Sequence, residues 1–235
     1  MKKIIRIFLN ILYPRHCPVC HGILKDQESL VCPECENGFN RVGSHYCLKC
    51  GKPVKAQEEY CAACRGHKRA FDRNRSVFLY DGKLRQSLVR YKYYGAREYG
   101  DFYAESVCRF IGDEIRRWDP DVLIPIPLTV AKQRMRGFNQ AGYMAERIGT
   151  KLEIPVSHDL LKKIHETRSQ KKLNAAQRKQ NLRNAFCVKE DLHGYTVLVI
   201  DDVYTTGSTM EAAALCLKAA GAEKVYCITL CTGQG

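Results

Sequence analysis

One stretch of the chain decides the predicted fold: Val197-Leu198-Val199-Ile200-Asp201-Asp202-Val203-Tyr204-Thr205-Thr206-Gly207-Ser208-Thr209. Its four branched apolar residues in a row are typical of a strand buried on both faces of a sheet. A short polar turn with one glycine follows, and the residues after it have the composition of a helix. The stretch therefore predicts a buried strand, a turn and a helix.

The same alternation continues outward along the chain. We predict strands at residues 75–80, 121–126, 160–164, 195–200 and 224–230, and helices at 83–94, 97–118, 138–152 and 208–220. Strands that alternate with helices indicate βαβ units, so the sequence predicts an α/β domain with a parallel sheet flanked by helices. We place this domain at residues 71–235 and a smaller N-terminal module at residues 1–70.

Ligands of such sheets gather at the carboxyl ends of the strands. The turn from Thr205 to Thr209 offers backbone N–H groups and hydroxyls to a phosphate, and the following helix adds a favourable field. Asp201 and Asp202 are placed to accept hydrogen bonds from vicinal sugar hydroxyls. Together these features predict a ribose 5-phosphate site; the alternative is an ordinary βα turn. Ser208 and Glu211 predict a capping box at the start of the helix.

Eight of the thirteen cysteines form four Cys-x-x-Cys pairs in the N-terminal module. Two such pairs complete a tetrahedral thiolate site. We predict two structural zinc ribbons, paired in sequence order rather than interleaved, with the ligands Cys17, Cys20, Cys32, Cys35, then Cys47, Cys50, Cys61, Cys64. Disulfides and an iron–sulfur cluster are the alternatives, disfavoured because no export signal is visible and because cluster ligands are spaced differently.

The chain is basic, with 38 lysines and arginines against 25 acids and a formal charge of +13. Such an excess predicts a polyanionic partner. One basic segment interleaves tyrosines with cations, as surfaces that bind single-stranded nucleic acid do, although a helix with one packed and one wet face gives the same pattern. The nucleic-acid candidates are Arg90, Lys92, Arg97, Arg134 and Arg136. The apolar run at residues 4–12 is too short for a transmembrane segment and resembles no signal peptide, so we expect a packed helix and a cytoplasmic protein.

The strand and turn at residues 197–209 resemble the phosphoribosyl diphosphate (PRPP) signature of type I phosphoribosyltransferases. Two further motifs, residues 124–128 and Arg-Gly-Phe-Asn-Gln at 136–140, together with the cysteine module, resemble the ComF family of competence proteins. Arg168-Ser169-Gln170, Leu173, Arg178, Asn181 and Phe186 continue the pattern. The resemblance covers essentially the whole chain.

This resemblance implies a type I phosphoribosyltransferase-like fold that binds PRPP with Mg²⁺. The implied PRPP-binding residues are Asp201, Asp202, Val203, Tyr204, Thr205, Thr206, Gly207, Ser208, Thr209, Pro127 and Leu128. The cations Arg168, Lys171, Lys172 and Arg178 would belong to a mobile loop that closes over PRPP; the alternative is a solvated basic loop or a nucleic-acid contact. The implied role is handling of single-stranded DNA during DNA uptake, with a helicase-like ComFA partner. The alternative is an active phosphoribosyltransferase with Asp201 and Asp202 as catalytic residues.

Overall fold

The computed structural model of the protein describes residues 12–164 and 185–233. Most of the predicted N-terminal helix lies outside these ranges. The predicted mobile-loop cations Arg168, Lys171, Lys172 and Arg178 also lie outside the described residues. Among the residues described, no helix combines the length and the apolar character needed to cross a bilayer.

The elements follow one another in the predicted alternating order. Their bounds are α1 Ala62–Arg65, β1 Arg73–Leu79, α2 Gly82–Tyr93, α3 Tyr99–Trp118, β2 Val122–Pro125, α4 Val130–Arg136, α5 Gln140–Leu152, β3 Lys162–Lys163, β4 Phe186–Cys187, β5 Thr196–Tyr204, α6 Ser208–Ala219 and β6 Lys224–Thr232. The longer helices have the predicted positions to within two residues.

The main sheet of the described chain has the strand order β1-β6-β5-β2, and every pair is parallel. Successive side chains of β5 point to opposite faces. Leu198 and Ile200 therefore pack into one core cluster with α2, α3 and α5. Val197 and Val199 pack into a second cluster with α6 and the strand β4. The predicted parallel α/β sheet flanked by helices is confirmed.

The structure corrects three local predictions. Strand β5 runs on through the acidic pair to Tyr204, because β6 stays paired with it as far as Thr232. The strand predicted at 160–164 is reduced to β3, which pairs antiparallel with β4 in a separate small sheet. A short helix that was not predicted, α4, follows the proline loop, and Thr129 caps its first turn by accepting from the Lys132 N–H.

Both ribbons of the N-terminal module pack directly on the sheet domain. The second ribbon lies against β1, where the buried Asn74 side chain donates to the Cys50 carbonyl at 2.8 Å. A Cβ atom on Gly51 would lie 2.6 Å from the Asn74 carbonyl oxygen, so this approach requires glycine. The first ribbon instead reaches α3, through the ion pair of Arg15 with Asp101 at 2.8 Å.

Candidate functional site

The acidic pair lies at the carboxyl end of β5, in the centre of the main sheet. The Asp201 carboxylate accepts a hydrogen bond from the Asp202 backbone N–H at 2.8 Å. Burial, followed by the nearby charge of Asp202, raises the pKa of Asp201 to about 7. Two adjacent carboxylates in this environment repel each other, and a raised pKa of this kind is typical of ligand sites.

Lys92, from the last turn of α2, forms an ion pair with the Asp202 carboxylate. Burial alone would lower the pKa of Lys92, but the charge of Asp202 outweighs it and the pKa lies above its ordinary value. Lys92, predicted as a nucleic-acid contact, is 18% exposed and paired with Asp202. It belongs to the acidic site.

The turn after β5 is shaped by one glycine. Gly207 has φ +80°, and a Cβ atom there would lie 2.2 Å from the Tyr204 hydroxyl. Gly207 is the N-cap of α6, and the Thr206 and Ser208 hydroxyls share a hydrogen bond of 2.8 Å. Thr205 and Thr206 are exposed, whereas Tyr204 is buried beneath the turn. Residues 205–209, called the phosphate loop below, thus combine an open helix N-terminus with hydroxyl groups.

The predicted capping box is wrong. The N-cap position belongs to Gly207, which has no side chain, and the Ser208 N–H donates to the Thr206 hydroxyl at 3.4 Å. The Glu211 carboxylate makes its hydrogen bonds outside its own helix. Both of its oxygens accept from the Ala70 N–H, with N···O distances of 3.1 and 3.2 Å. Arg69 lies on the same side, with its guanidinium donating to the Thr206 carbonyl at 3.4 Å.

The loop after β2 lies at the same end of the sheet. Its first residue, Ile126, donates its backbone N–H to the Ile200 carbonyl at 2.9 Å, immediately before the acidic pair. Its carbonyl accepts from the Asn139 side chain at 3.0 Å, which ties the loop to the start of α5. Pro127 and Leu128 are partly exposed. The structure therefore brings the predicted residues 127–128 and 201–209 to one end of the sheet.

The remaining nucleic-acid candidates differ in their exposure and in the side chains that they contact. Arg136 donates to the Tyr93 hydroxyl at 3.0 Å and to the Gln140 side chain at 2.8 Å, so it is held beside α2. Arg97 lies over the Tyr143 ring, 4.9 Å from its centre. Arg90 and Arg134 are exposed. Arg90 lines a surface cavity of about 570 Å³ together with Tyr94.

The tyrosines of the basic segment divide between core and surface. Tyr91 and Tyr99 are fully buried, whereas Tyr93 and Tyr94 are 50% and 74% exposed. Two of these four tyrosines thus pack in the protein core, and the other two remain available for contact.

The eight cysteines of the pairs form two groups in sequence order. All ligand sulfurs within a group lie within 4.8 Å of one another, for Cys17, Cys20, Cys32, Cys35 and for Cys47, Cys50, Cys61, Cys64. The sulfurs of Cys20 and Cys32 are 3.8 Å apart, and those of Cys50 and Cys61 are 3.6 Å apart. A tetrahedral Zn–S bond of about 2.3 Å requires sulfurs about 3.8 Å apart, whereas a disulfide needs about 2.05 Å. Both groups fit structural zinc.

The two ribbons repeat one backbone construction. Cys17 donates its N–H to the Gly22 carbonyl at 2.8 Å, and Cys47 donates to the Lys52 carbonyl at 2.7 Å. The residue before each acceptor has a left-handed backbone, with φ 65° at His21 and 74° at Gly51. In the first ribbon the cost of placing a histidine there is offset by its hydrogen bond of 3.1 Å with the Tyr99 hydroxyl.

Comparisons with known proteins agree with this architecture. A family model described as a double zinc ribbon domain matches residues 8–65, and one described as a phosphoribosyl transferase domain matches residues 110–235. Competence protein ComFC of Bacillus subtilis is 32% identical over 221 residues, which cover 88% of this chain and 86% of that protein. The chain belongs to the ComF family.

Other relatives of this ComF-family chain are similar over most of its length. Competence protein F of Haemophilus influenzae is 27% identical, over 89% of this chain and 93% of that protein. The DNA utilization protein YhgH of Salmonella typhimurium is 28% identical, over 93% and 97%. A purine phosphoribosyltransferase from Pyrococcus horikoshii aligns with 20% identity and a TM-score of 0.37, over 56% of this chain and 74% of that one.

Three residues of this ComF-family chain contribute to the site without a local sequence pattern that assigns them to it. Arg69 and Ala70 lie just before the sheet domain, and nothing in their sequence pattern points to the phosphate loop. Lys92 was assigned to the surface because basic residues flanked by tyrosines resemble a nucleic-acid contact. Its position one residue after the buried Tyr91 was the available signal that it lies near the interior.

Proposed function

We propose that this protein binds PRPP in the crevice between residues 127–128 and 201–209. The observation that carries the proposal is the phosphate loop at the N-terminus of α6, directly after two carboxylates at a sheet end. A helix N-terminus with free N–H groups favours a phosphate, and carboxylates accept hydrogen bonds from the ribose hydroxyls. The 5-phosphate would lie in the loop and the ribose beside Asp201 and Asp202.

The proposal includes Mg²⁺ bound together with PRPP. Magnesium prefers oxygen ligands and is commonly held by one or two carboxylates together with phosphates of the substrate. Asp201 and Asp202 supply the carboxylates, and the diphosphate group would supply phosphate oxygens near Pro127 and Leu128. Such an ion reduces the repulsion between the acidic pair and the diphosphate.

Titration calorimetry with PRPP and Mg²⁺ tests the site. The double variant Asp201→Asn, Asp202→Asn should lose binding at least 100-fold while keeping a cooperative thermal transition. The matched control is Asp113→Asn, Asp159→Asn, which alters two carboxylates that are each 88% exposed. Unchanged PRPP affinity in the Asp201, Asp202 variant would refute the site.

We further propose that the protein handles single-stranded DNA during DNA uptake. Relatives named competence proteins or DNA utilization proteins support the biological role, and the charge of +13 supports a polyanionic partner. Two zinc tetrathiolates, each with charge −2, still leave about +9. A helicase-like ComFA partner and a cytoplasmic location, where thiolates stay reduced, complete the proposal.

A second candidate function is phosphoribosyl transfer. The observation in its favour is that the loop of residues 127–128 and the acidic pair lie at the same end of the sheet, where the Ile126 N–H donates to the Ile200 carbonyl at 2.9 Å. In that reaction the bond from C1 of ribose to the diphosphate oxygen breaks, diphosphate leaves, and C1 bonds to a nitrogen nucleophile that releases a proton. Release of diphosphate from PRPP only in the presence of a nitrogen base or amine would support it; PRPP that binds and stays intact would exclude it.

A further inference from the structure

The segment between the second zinc ribbon and β1 makes two polar contacts with the phosphate loop and α6. The Ala70 N–H donates to both Glu211 oxygens, at 3.1 and 3.2 Å. The Arg69 guanidinium donates to the Thr206 carbonyl at 3.4 Å and lies beside the Cys64 sulfur, a zinc-ribbon ligand. Arg69 thus contacts the metal site on one side and the loop on the other.

Apolar packing joins the same parts. Phe71 is fully buried and meets the Tyr204 ring edge to face, with 6.4 Å between ring centres. Tyr204 supports the turn from below, since its hydroxyl occupies the space beneath Gly207. Cys47 and Cys50 belong to the same buried cluster as Phe71 and Tyr204. The second ribbon and the base of the phosphate loop therefore share one core.

The loop is held by contacts of its own and by contacts from outside it. Within the loop, the Thr206 hydroxyl accepts from the Ser208 N–H at 3.4 Å. Glu211 would be placed to cap the helix, but it is committed to Ala70. This contact ties the first turn of α6 to the segment before β1.

We propose that the second zinc ribbon holds the phosphate loop in its ligand-binding shape, and that Arg69 and Glu211 are the positioning residues through which it does so. This inference rests on the proposed PRPP site. The first ribbon has no such role, because its polar contacts go to α3: Arg15 pairs with Asp101, and Glu36 with Arg109 at 2.7 Å. The two metal sites then differ in function although they repeat one construction.

Coupling between two sites is reciprocal. If the zinc-bound second ribbon favours PRPP, then bound PRPP must strengthen the hold of that ribbon on zinc. The first ribbon must show no such effect. This reciprocity separates the proposal from a purely structural role of zinc, which would not link one particular metal site to the ligand.

The first test measures PRPP affinity by calorimetry, with zinc content and thermal midpoint as additional readouts. Arg69→Met should weaken PRPP binding about 10-fold while two zinc equivalents and the thermal midpoint stay at wild-type values. Arg109→Met, which removes the contact of the first ribbon, is the matched control and should bind PRPP as the wild type does. If Arg69→Met binds PRPP with wild-type affinity, the proposal is overturned.

The second test follows zinc transfer to a chromogenic chelator from the unaltered chain, with and without PRPP and Mg²⁺. One of the two zinc equivalents should transfer at least 5-fold more slowly with PRPP, and Cys64→Ser should abolish that slow fraction. The proposal would be overturned if PRPP slowed the transfer of both zinc equivalents or of neither. It would also be overturned if PRPP slowed the transfer of the zinc that remains bound in Cys64→Ser. If the wild-type chain shows no PRPP affinity, the proposed function itself fails; if it binds PRPP without selective protection, only this inference fails.

Discussion

Lys92 in α2 and Asp202 in β5 form an ion pair at the carboxyl end of the sheet, and both side chains are largely buried, at 18% and 14% exposure. The pair connects the helix that carries the basic segment to the strand that carries the acidic pair. Among the residues described, the Lys92 ammonium pairs with Asp202 rather than with Asp201. The two adjacent acids are therefore electrostatically different before any ligand binds.

Lys92→Met should be strongly destabilising. Removing one partner of a buried pair leaves the other charge uncompensated, which costs about 3 kcal/mol. Urea unfolding measures the loss. The double variant Lys92→Met, Asp202→Asn removes the orphaned charge and should recover most of the stability. Lys83→Met, an exposed position on the same helix, serves as control and should change stability by less than about 0.5 kcal/mol. Equal losses in the single and double variants would contradict the ion-pair account.

The raised pKa of Asp201 predicts a pH dependence of stability in the absence of ligand and Mg²⁺. Since its pKa is about 7 when folded but about 3.9 when unfolded, the folded state binds the proton more tightly between these values. This contribution to stability is complete below about pH 4 and is lost as pH rises through 7.

Asp201→Asn removes that loss, so its stability relative to the wild type should be higher at pH 8 than at pH 5, by about 3 kcal/mol. Thermal unfolding at the two pH values measures the difference. Asp159→Asn, which alters an exposed carboxylate, is the control. If the difference in stability between Asp201→Asn and the wild type is the same at pH 8 and at pH 5, the assignment of this pKa is contradicted.

Gly207→Ala should damage the phosphate loop in two ways. A left-handed backbone costs an alanine about 1 kcal/mol, and the new Cβ would overlap the Tyr204 hydroxyl at 2.2 Å. Gly194→Ala is the matched control, because Gly194 also has φ +80° but has no heavy atom within 4 Å of the new Cβ. We expect Gly207→Ala to lose at least 10-fold in PRPP affinity, and Gly194→Ala to lose none. Equal behaviour of both variants would show that backbone strain alone matters.

Elements that are defined by a short, local sequence pattern could be predicted from the sequence. Buried strands, amphipathic helices and pairs of cysteines each leave a short periodic pattern, and among the described residues their positions are confirmed except for the strand expected at 160–164. The end of β5 was missed because the run of apolar residues ends before Asp201, whereas the pairing of β5 with β6 continues to Tyr204. Helix α4 was missed because it buries no residue and so shows no apolar period.

The contacts that shape the site were less visible in the sequence. Glu211 has the spacing of a capping box, but its partner Ala70 lies 141 residues away in the sequence. Lys92 has the neighbours of a surface cation, but its partner lies on another element. Local patterns predict which residue types are present, whereas the tertiary fold decides which partner each of them takes.

Metal analysis of the purified chain should give two zinc equivalents. Cys35→Ser should retain about one equivalent, because three sulfurs no longer complete the tetrahedral site of the first ribbon. Cys108→Ser is the control, since Cys108 lies outside both groups of ligands, and it should retain two equivalents. Retention of two equivalents by Cys35→Ser would contradict the assignment of the ligands.

Arg90 and Tyr94 provide the sharpest test of the nucleic-acid proposal. They line adjacent surface cavities of about 570 and 420 Å³, and Tyr94 is 74% exposed. A cation that contacts phosphate releases a counterion, so Arg90→Met should reduce the slope of log affinity against log salt by about 0.7 for an oligodeoxythymidine. Tyr94→Ala should lose affinity by about 1–3 kcal/mol through lost stacking while leaving that slope unchanged. Fluorescence anisotropy at four salt concentrations measures both quantities, with Arg109→Met as control. If both variants keep the wild-type slope and affinity, single-stranded DNA binds elsewhere on the protein or not at all.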